Sequence, residues 1–203
     1  MKYKNYVFDM GSVLVSFRWR DMMMDYGLSA QEADAFYDMM FGDPLWEQFD
    51  LENWSYEEVT AKFIQKNPKH AEEIRYFLYH RELMPVPRPG VYARCEELLE
   101  KGARLYILSN YSSVMFATHT RLVPFMDRLS GMMVSNMIHI GKPDHRIYEA
   151  LYETCQIRPE ESVFFDDRKE NIEGGRATGM DGYLVESEEA LESLLDMALE
   201  KFF

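Results

Sequence analysis

Four short stretches of this chain set a chemically capable side chain just beyond an apolar run. Asp9 follows Tyr6-Val7-Phe8, and Ser109-Asn110 follow Leu105-Tyr106-Ile107-Leu108. Lys142 lies in a Gly-Lys-Pro loop after Met132-Met133-Val134, and Asp166-Asp167 follow Val163-Phe164-Phe165. Together they supply a carboxylate nucleophile, a hydroxyl donor, a fixed cation and an acidic pair. Taken singly, three have plainer readings. Asp9 suits a turn beside Gly11, Ser109-Asn110 suit the N-cap of a following helix, and Lys142 suits a solvated loop. The acidic pair differs, because adjacent carboxylates directly after an apolar strand are costly unless one is exposed or a cation binds. Four accidents would have to fall on strand ends in compatible roles, so the combination outweighs its parts.

The elements that must position these groups follow from pattern. Tyr6-Val7-Phe8 is a short β-prone run, resumed by Val13-Leu14-Val15. From Arg18 to about Met84 the periodicity is helical: one helix over Arg18 to Tyr26, two opened by Ser29/Glu32 and Ser55/Glu58 at capping-box spacing, and a fourth over Lys69 to Leu83. Pro85-Val86-Pro87-Arg88-Pro89 resists both helix and sheet and reads as a semi-rigid hinge. Beyond it helices and strands alternate, with helices over Gly90 to Lys101, Ser113 to Leu122, His145 to Thr154, Asn171 to Thr178 and Glu188 to Lys201. The strands between them are Arg104 to Leu108, Met132 to Val134, Ser162 to Phe165 and Gly182 to Val185. Such alternation specifies an α/β fold, a doubly wound parallel sheet with helices on both faces. The expected organisation is one core of residues 1–15 and 88–203, interrupted by a small helical bundle of residues 16–87. Ligands of open parallel sheets bind beyond the carboxyl ends of the strands, where the four stretches fall.

Composition narrows the partners. Of 203 residues, 47% are apolar or aromatic, enough for a well-buried core. With 35 acidic against 22 basic side chains the net charge is -13, which repels polyanions and argues against nucleic acid. An anionic metabolite stays compatible, since a bound divalent cation reverses the sign of a site locally. Cys95 and Cys155 both fall in expected amphipathic helices and read as reduced core thiols. The first residues run straight into the first strand without a leader pattern, and no apolar run approaches roughly 18 residues. The expectation is a cytoplasmic protein without membrane attachment.

The motifs Val7-Phe8-Asp9-Met10-Gly11-Ser12-Val13, Ile107-Leu108-Ser109-Asn110, Gly141-Lys142-Pro143 and Phe164-Phe165-Asp166-Asp167-Arg168-Lys169-Glu170-Asn171 resemble the four successive motifs of the haloacid dehalogenase-like hydrolases. The resemblance covers the whole chain. Its helical insertion matches the cap of subfamily I, and the motif forms look most like the branch containing glucose-1-phosphatase. It implies a Mg²⁺-dependent phosphatase acting on a small phosphorylated metabolite, a sugar phosphate by that branch, as a monomer or homodimer. Asp9 would attack phosphorus and form an aspartyl-phosphate that water hydrolyses. Mg²⁺ would be bound by Asp9, the Gly11 carbonyl and Asp167, with Asp166 just behind. The hydroxyl of Ser109, the backbone amide of Asn110 and the ammonium of Lys142 would hold the phosphate oxygens.

One departure stands out. The family usually has an aspartate two positions after the nucleophile as general acid and base, and this chain has Gly11. A positioned acid or base contributes about 10²–10⁴-fold, so proton transfer either slows or moves to water, substrate or a residue of the helical insertion. Trp46, Asp50 and Glu52, in an expected loop between insertion helices, are the candidate substrate contacts; for Trp46 packing between helices is as good a reading. Met22-Met23-Met24 and Met39-Met40 read as adaptable core, and His139 and His145 have no metal-ligand partners. A metal-independent dehalogenase would have no use for Asp166-Asp167. A silent phosphometabolite-binding protein is the reading that Gly11 favours.

Overall fold

In the computed structural model, which describes residues 3–200, the sheet is built by strands that alternate apolar side chains onto two faces. In order along the chain come β1 (Asn5–Phe8), β2 (Val15–Phe17), α1 (Trp19–Tyr26), α2 (Ala30–Phe41), α3 (Pro44–Asp50), α4 (Tyr56–Lys66), α5 (Ala71–Tyr79), β3 (Pro85–Pro87), α6 (Pro89–Glu100) and β4 (Arg104–Ser109). There follow α7 (Ser113–His119), β5 (Gly131–Val134), α8 (Ser135–Ile138), α9 (His145–Cys155), β6 (Ser162–Asp166), α10 (Lys169–Ala177), β7 (Asp181–Leu184) and α11 (Glu188–Glu200). Five strands form one sheet in the order β5-β4-β1-β6-β7, every pair parallel. The strand order reverses at β1, the kind of switch point where such sheets bind ligands.

Each face has its own core. Tyr6, Phe8, Leu105, Ile107, Val163 and Phe165 pack with Val91, Cys95 and Leu98 of α6 and with Leu191, Leu195 and Leu199 of α11. The alternate residues Val7, Tyr106, Leu108 and Phe164 pack on the opposite face with Ile147, Tyr148 and Leu151 of α9 and Ile172 of α10. The α6/α11 core runs on without a break into α1, α2, α4 and α5 through Met22, Met23, Phe36, Met40, Phe63, Ile74 and Phe77. The methionines at 22, 23 and 40 thus take the packing role expected of them, whereas Met24 is exposed.

Both capping boxes close as the spacing predicts, with reciprocal bonds at Ser29/Glu32 and Ser55/Glu58. Three expectations need correction. Pro85–Pro87 does not resist sheet but forms a strand antiparallel to β2, with Val86 paired to Ser16; both prolines sit on an edge, where a missing N–H costs no ladder bond. The resumed strand begins only at Val15, because Val13 and Leu14 are consumed by the turn in which Leu14 and Val15 both donate to the Met10 carbonyl. The stretch Lys69 to Leu83 is helical over Ala71–Tyr79 alone, flanked by tight turns at Pro68–His70 and Arg81–Leu83. Cys95 is buried and Cys155 half-buried, and neither forms a disulfide. Lys201, the expected end of the closing helix, lies outside the described residues. Among the described residues no helix is long and apolar enough to cross a membrane.

Candidate active site

The parallel register brings the ends of β1, β4 and β6 level, since Phe8 pairs with both Ile107 and Phe165. The next residue, Asp9, therefore emerges between Ser109 and Asp166, with its amide bonded to the Phe165 carbonyl at 2.9 Å. Ser109 Oγ donates to Asp9 Oδ1 at 2.5 Å, and Lys142 Nζ stands 2.9 Å from the same oxygen. Both donors meet Oδ1, which makes the two carboxylate oxygens inequivalent. Lys142 also donates to the Leu108 carbonyl at 2.9 Å and to Asp166 Oδ2 at 2.6 Å.

Asp166 is fully buried and saturated: Arg168 N donates to Oδ1 at 2.8 Å, and Asn171 Nδ2 reaches Oδ1 and Oδ2 at 2.9 and 3.1 Å. Its role in this arrangement is to anchor Lys142. Asn110 does the same from the other side, its amide side chain accepting from Lys142 N at 2.7 Å and donating to Lys142 O at 2.9 Å. The loop after β1 is held by Arg88, whose Nη1 donates to the carbonyls of Ser12 and Val13 at 2.7 and 3.2 Å.

Charge is out of balance here. Asp9, Asp166 and Asp167 each offer a carboxylate oxygen, all within 4.8 Å of one another, against the single ammonium of Lys142. Burial and the charge of Asp166 raise the Asp9 carboxyl above its ordinary range although Lys142 opposes them. Asp167 is pushed up to about 6 by burial and by Asp9 and Asp166. Asp50 is raised well above the usual carboxylate range by burial and by Asp9. Burial alone would lower Lys142, yet Asp166 and Asp9 carry it upward. Convergent hard oxygens with too little positive charge are the donor set of a small divalent cation such as Mg²⁺, so the residues fit the metal that the motifs imply. Asp9, through Oδ2, and Asp167 keep an oxygen open in that set, while Asp166 is occupied by its protein donors.

Above the site lies a cavity of about 330 Å³, bounded on one side by Asp9, Gly11, Asn110 and Asp167 and on the other by α1, α2 and α3. A wider polar space of about 760 Å³ shares Asp9, Trp46, Asp50 and Asp167 with it and adds Lys142, Asp43 and Glu47. Trp46 and Asp50 thus reach the site as expected, but from a helix rather than a loop: Asp43 caps α3 through Leu45 N, and Pro44 takes its first position. Trp46 unites its two readings, lining both spaces while packing on Phe41 and Phe49 at 4.2 and 5.4 Å between ring centres. Glu52 does not enter either space. It turns back with φ +50° and accepts from Ser113 N at 2.7 Å and Ser113 Oγ at 2.5 Å, capping α7. Two more bonds close this seam, from Ser135 Oγ to the Asp50 carbonyl at 2.6 Å and between His139 Nδ1 and the Leu51 carbonyl at 2.7 Å.

Several lining residues escaped the sequence reading. Tyr111 OH lies 2.8 Å from His119 Nδ1, and His119 Nε2 lies 3.0 Å from the Arg81 carbonyl. A neutral His119 protonated on Nε2 satisfies both contacts, with Tyr111 the donor to Nδ1. Burial moves His119 down to about 4, in keeping with that neutral form. Arg168 and Phe17 line the cavity as well, as do Trp19, Tyr37 and Phe41 from α1 and α2. Tyr111 and Arg168 adjoin strand-end motifs and were findable by position. His119 and Phe17 carry no local signal.

A family model described as haloacid dehalogenase-like hydrolase matches residues 3–179. Among curated proteins the chain is 27% identical over 190 residues to a phosphatase of Mycobacterium tuberculosis, MT3486, covering 89% of this chain and 86% of that protein. It is 23% identical over 180 residues to the sesquiterpene phosphatase astK of Aspergillus oryzae, covering 89% and 88%. A solved structure of the enzyme bt-2542 from Bacteroides thetaiotaomicron, in complex with magnesium and inorganic phosphate, superposes with a TM-score of 0.68 at 19% identity, covering 90% and 93%.

Proposed function

The chain belongs to the haloacid dehalogenase-like hydrolases, and from that premise we propose that it is a Mg²⁺-dependent phosphatase of small phosphorylated metabolites with Asp9 as nucleophile. The observation that carries this reading is the convergence of Lys142 Nζ and Ser109 Oγ on Asp9 Oδ1, at 2.9 and 2.5 Å, beside the carboxylate of Asp167. The curated relatives named as phosphatases support it.

Asp9, Asp167 and the Gly11 carbonyl would hold the Mg²⁺, with Asp166 behind them. When bound, the ion supplies positive charge between the carboxylates and a phosphate oxygen. A carboxylate oxygen of Asp9 attacks phosphorus in line, a P–O bond to the alcohol breaks, and the alcohol oxygen leaves with the bonding pair. Ser109, the Asn110 amide and Lys142 steady the equatorial oxygens, where charge spreads in the transition state. Water then attacks phosphorus, the bond to Asp9 breaks, and phosphate departs with the carboxylate regenerated. Lys142 keeps Asp9 ionised against the field of Asp166.

Residues 16–87 act in this reading as a cap over a core of residues 1–15 and 88–203. The placement of α1, α2 and α3 along the cavity and the seam at Asp50, Leu51 and Glu52 support that division. A cap inserted after β1 accords with subfamily I, and the motif forms with the glucose-1-phosphatase branch, whose sugar-phosphate substrate class is one that the substrate panel tests.

The test is phosphate release from a panel of phosphorylated metabolites, with Mg²⁺ and with chelator, by wild type and Asp9→Asn. Turnover that needs the metal and vanishes in Asp9→Asn supports the reading. No release from any compound, despite Mg²⁺ and phosphate binding, would establish the silent binding protein that Gly11 favours.

A further inference from the structure

We infer that the alcohol half of the substrate is an aromatic, phenol-type group, so that the enzyme cleaves aryl phosphate monoesters; this rests on the phosphatase reading above. Two independent observations lead there.

The first is the wall of the 330 Å³ cavity. Trp19, Tyr37, Phe41 and Trp46 form a continuous ladder, with centroid separations of 4.1, 4.4 and 4.2 Å along it. All four are half-buried and line the cavity, although each also packs on its neighbours. Met84 and Met115 line it as well. Tyr111 OH and both ring nitrogens of His119 are engaged with each other and with the Arg81 carbonyl, so these three atoms are already spent. A flat aromatic ring placed there finds apolar faces to pack on.

The second observation is at Gly11. A Cβ there would stand 3.1 Å from Phe17 Cε2 and 3.4 Å from Cζ, so the Phe17 ring takes the space into which a side chain at that position would grow. An acid growing from position 11 would be crowded by hydrocarbon. An alcohol leaving without a proton must be a stable anion. A phenol ionises near the tyrosine value of about 10, far below the roughly 15.7 of water that aliphatic hydroxyls approach. When Asp9 attacks phosphorus and the P–O bond breaks, a phenolate departs with the electron pair and takes its proton from solvent afterwards. The same ring that crowds an acid there extends the apolar wall.

The experiment compares kcat/KM, with Mg²⁺, for acetyl phosphate, 1-naphthyl phosphate, a series of substituted phenyl phosphates, benzyl phosphate, glucose 1-phosphate and glucose 6-phosphate. Acetyl phosphate has a good leaving group and needs no pocket, so its turnover reports the phosphatase reading by itself. Expected is a preference of at least about 100-fold for 1-naphthyl phosphate over either sugar phosphate, the lower end of what a missing acid contributes. Rates within the phenyl series should fall steeply as the phenol pKa rises, with benzyl phosphate slow despite its ring. Binding of 1-naphthol in the presence of orthophosphate should also change the fluorescence of Trp19 and Trp46. Acetyl phosphate turnover together with sugar phosphates matching the aryl esters, or a flat dependence on phenol pKa, overturns the inference alone. Failure on acetyl phosphate as well overturns the phosphatase reading beneath it.

Discussion

Restoring an aspartate at position 11 is the perturbation that best probes how this site is built. An added Cβ would meet Phe17 Cε2 at 3.1 Å, short of the 3.5–4.0 Å at which carbon atoms pack comfortably. The ring must give by a few tenths of an ångström for the Cβ alone, before a carboxylate is accommodated. Gly11→Asp by itself is therefore an overpacking substitution, with an expected loss of about 1–3 kcal/mol. It gains no activity, because the carboxylate is pressed against the ring rather than aimed at the leaving oxygen. Phe17 is half-buried, so Phe17→Ala costs about 1–2 kcal/mol, less than the 3–5 of a fully buried ring. In the double variant the two changes relieve each other, and denaturation should show a favourable coupling of roughly 0.5–3 kcal/mol. Against a poor leaving group such as an alkyl phosphate, the double variant should exceed Phe17→Ala by about 10²-fold or more in kcat/KM, the contribution of a positioned acid. Measuring phosphate release and urea denaturation across all four proteins closes the cycle. Additive stabilities, or Gly11→Asp alone reaching the activity of the double variant, would refute the claim that Phe17 crowds the acid's place.

Lys142→Met leaves Asp9 and Asp166 without their shared ammonium at sites where the paired side chains are 1% and 0% exposed for Lys142 and Asp166. Denaturation should show a loss of about 3–5 kcal/mol, as when one partner of a buried pair is removed. Mg²⁺ at a hundred times its dissociation constant should stabilise the folded chain by about 2.7 kcal/mol. Asp167→Asn should melt higher than wild type in chelator above pH 6, where Asp167 is otherwise charged beside Asp9 and Asp166, and it should lose most of the Mg²⁺ response in the same melts. His119 is lowered from 6.5 to about 4, so the unfolded chain binds the extra proton between those values. Its contribution is whole above pH 6.5 and falls away as pH drops toward 4, by about 3 kcal/mol for the 2.5-unit gap. Replacing His119 with Gln should flatten that part of the stability-against-pH curve, read by denaturation at fixed pH.

The sequence by itself determined the sheet and its chemistry. Continuous apolar runs at Tyr6-Val7-Phe8 and Val163-Phe164-Phe165, with helices between strands, leave few arrangements other than a parallel sheet covered on both faces. Once the strands are parallel, residues directly after them share one edge, which is why Asp9, Ser109, Lys142 and Asp166-Asp167 could be grouped from separations of up to 158 residues before their contacts were known. Capping boxes were legible because their partners lie three residues apart. What only the tertiary structure decided concerns contacts without a local code. Pro85–Pro87 reads as irregular until Val15–Phe17 supplies an edge to pair with. Asn110 is spent on the Lys142 loop, Glu52 caps α7 rather than facing substrate, and Asp166 is saturated by Arg168 and Asn171. The ring of Phe17 over Gly11, the Tyr111–His119 pair and the Trp19–Tyr37–Phe41–Trp46 ladder arise where separate elements pack. A strand end is set by the backbone periodicity of a few neighbouring residues, but a pocket wall is set by which distant side chains fill the same space, and that is settled only when the whole core closes.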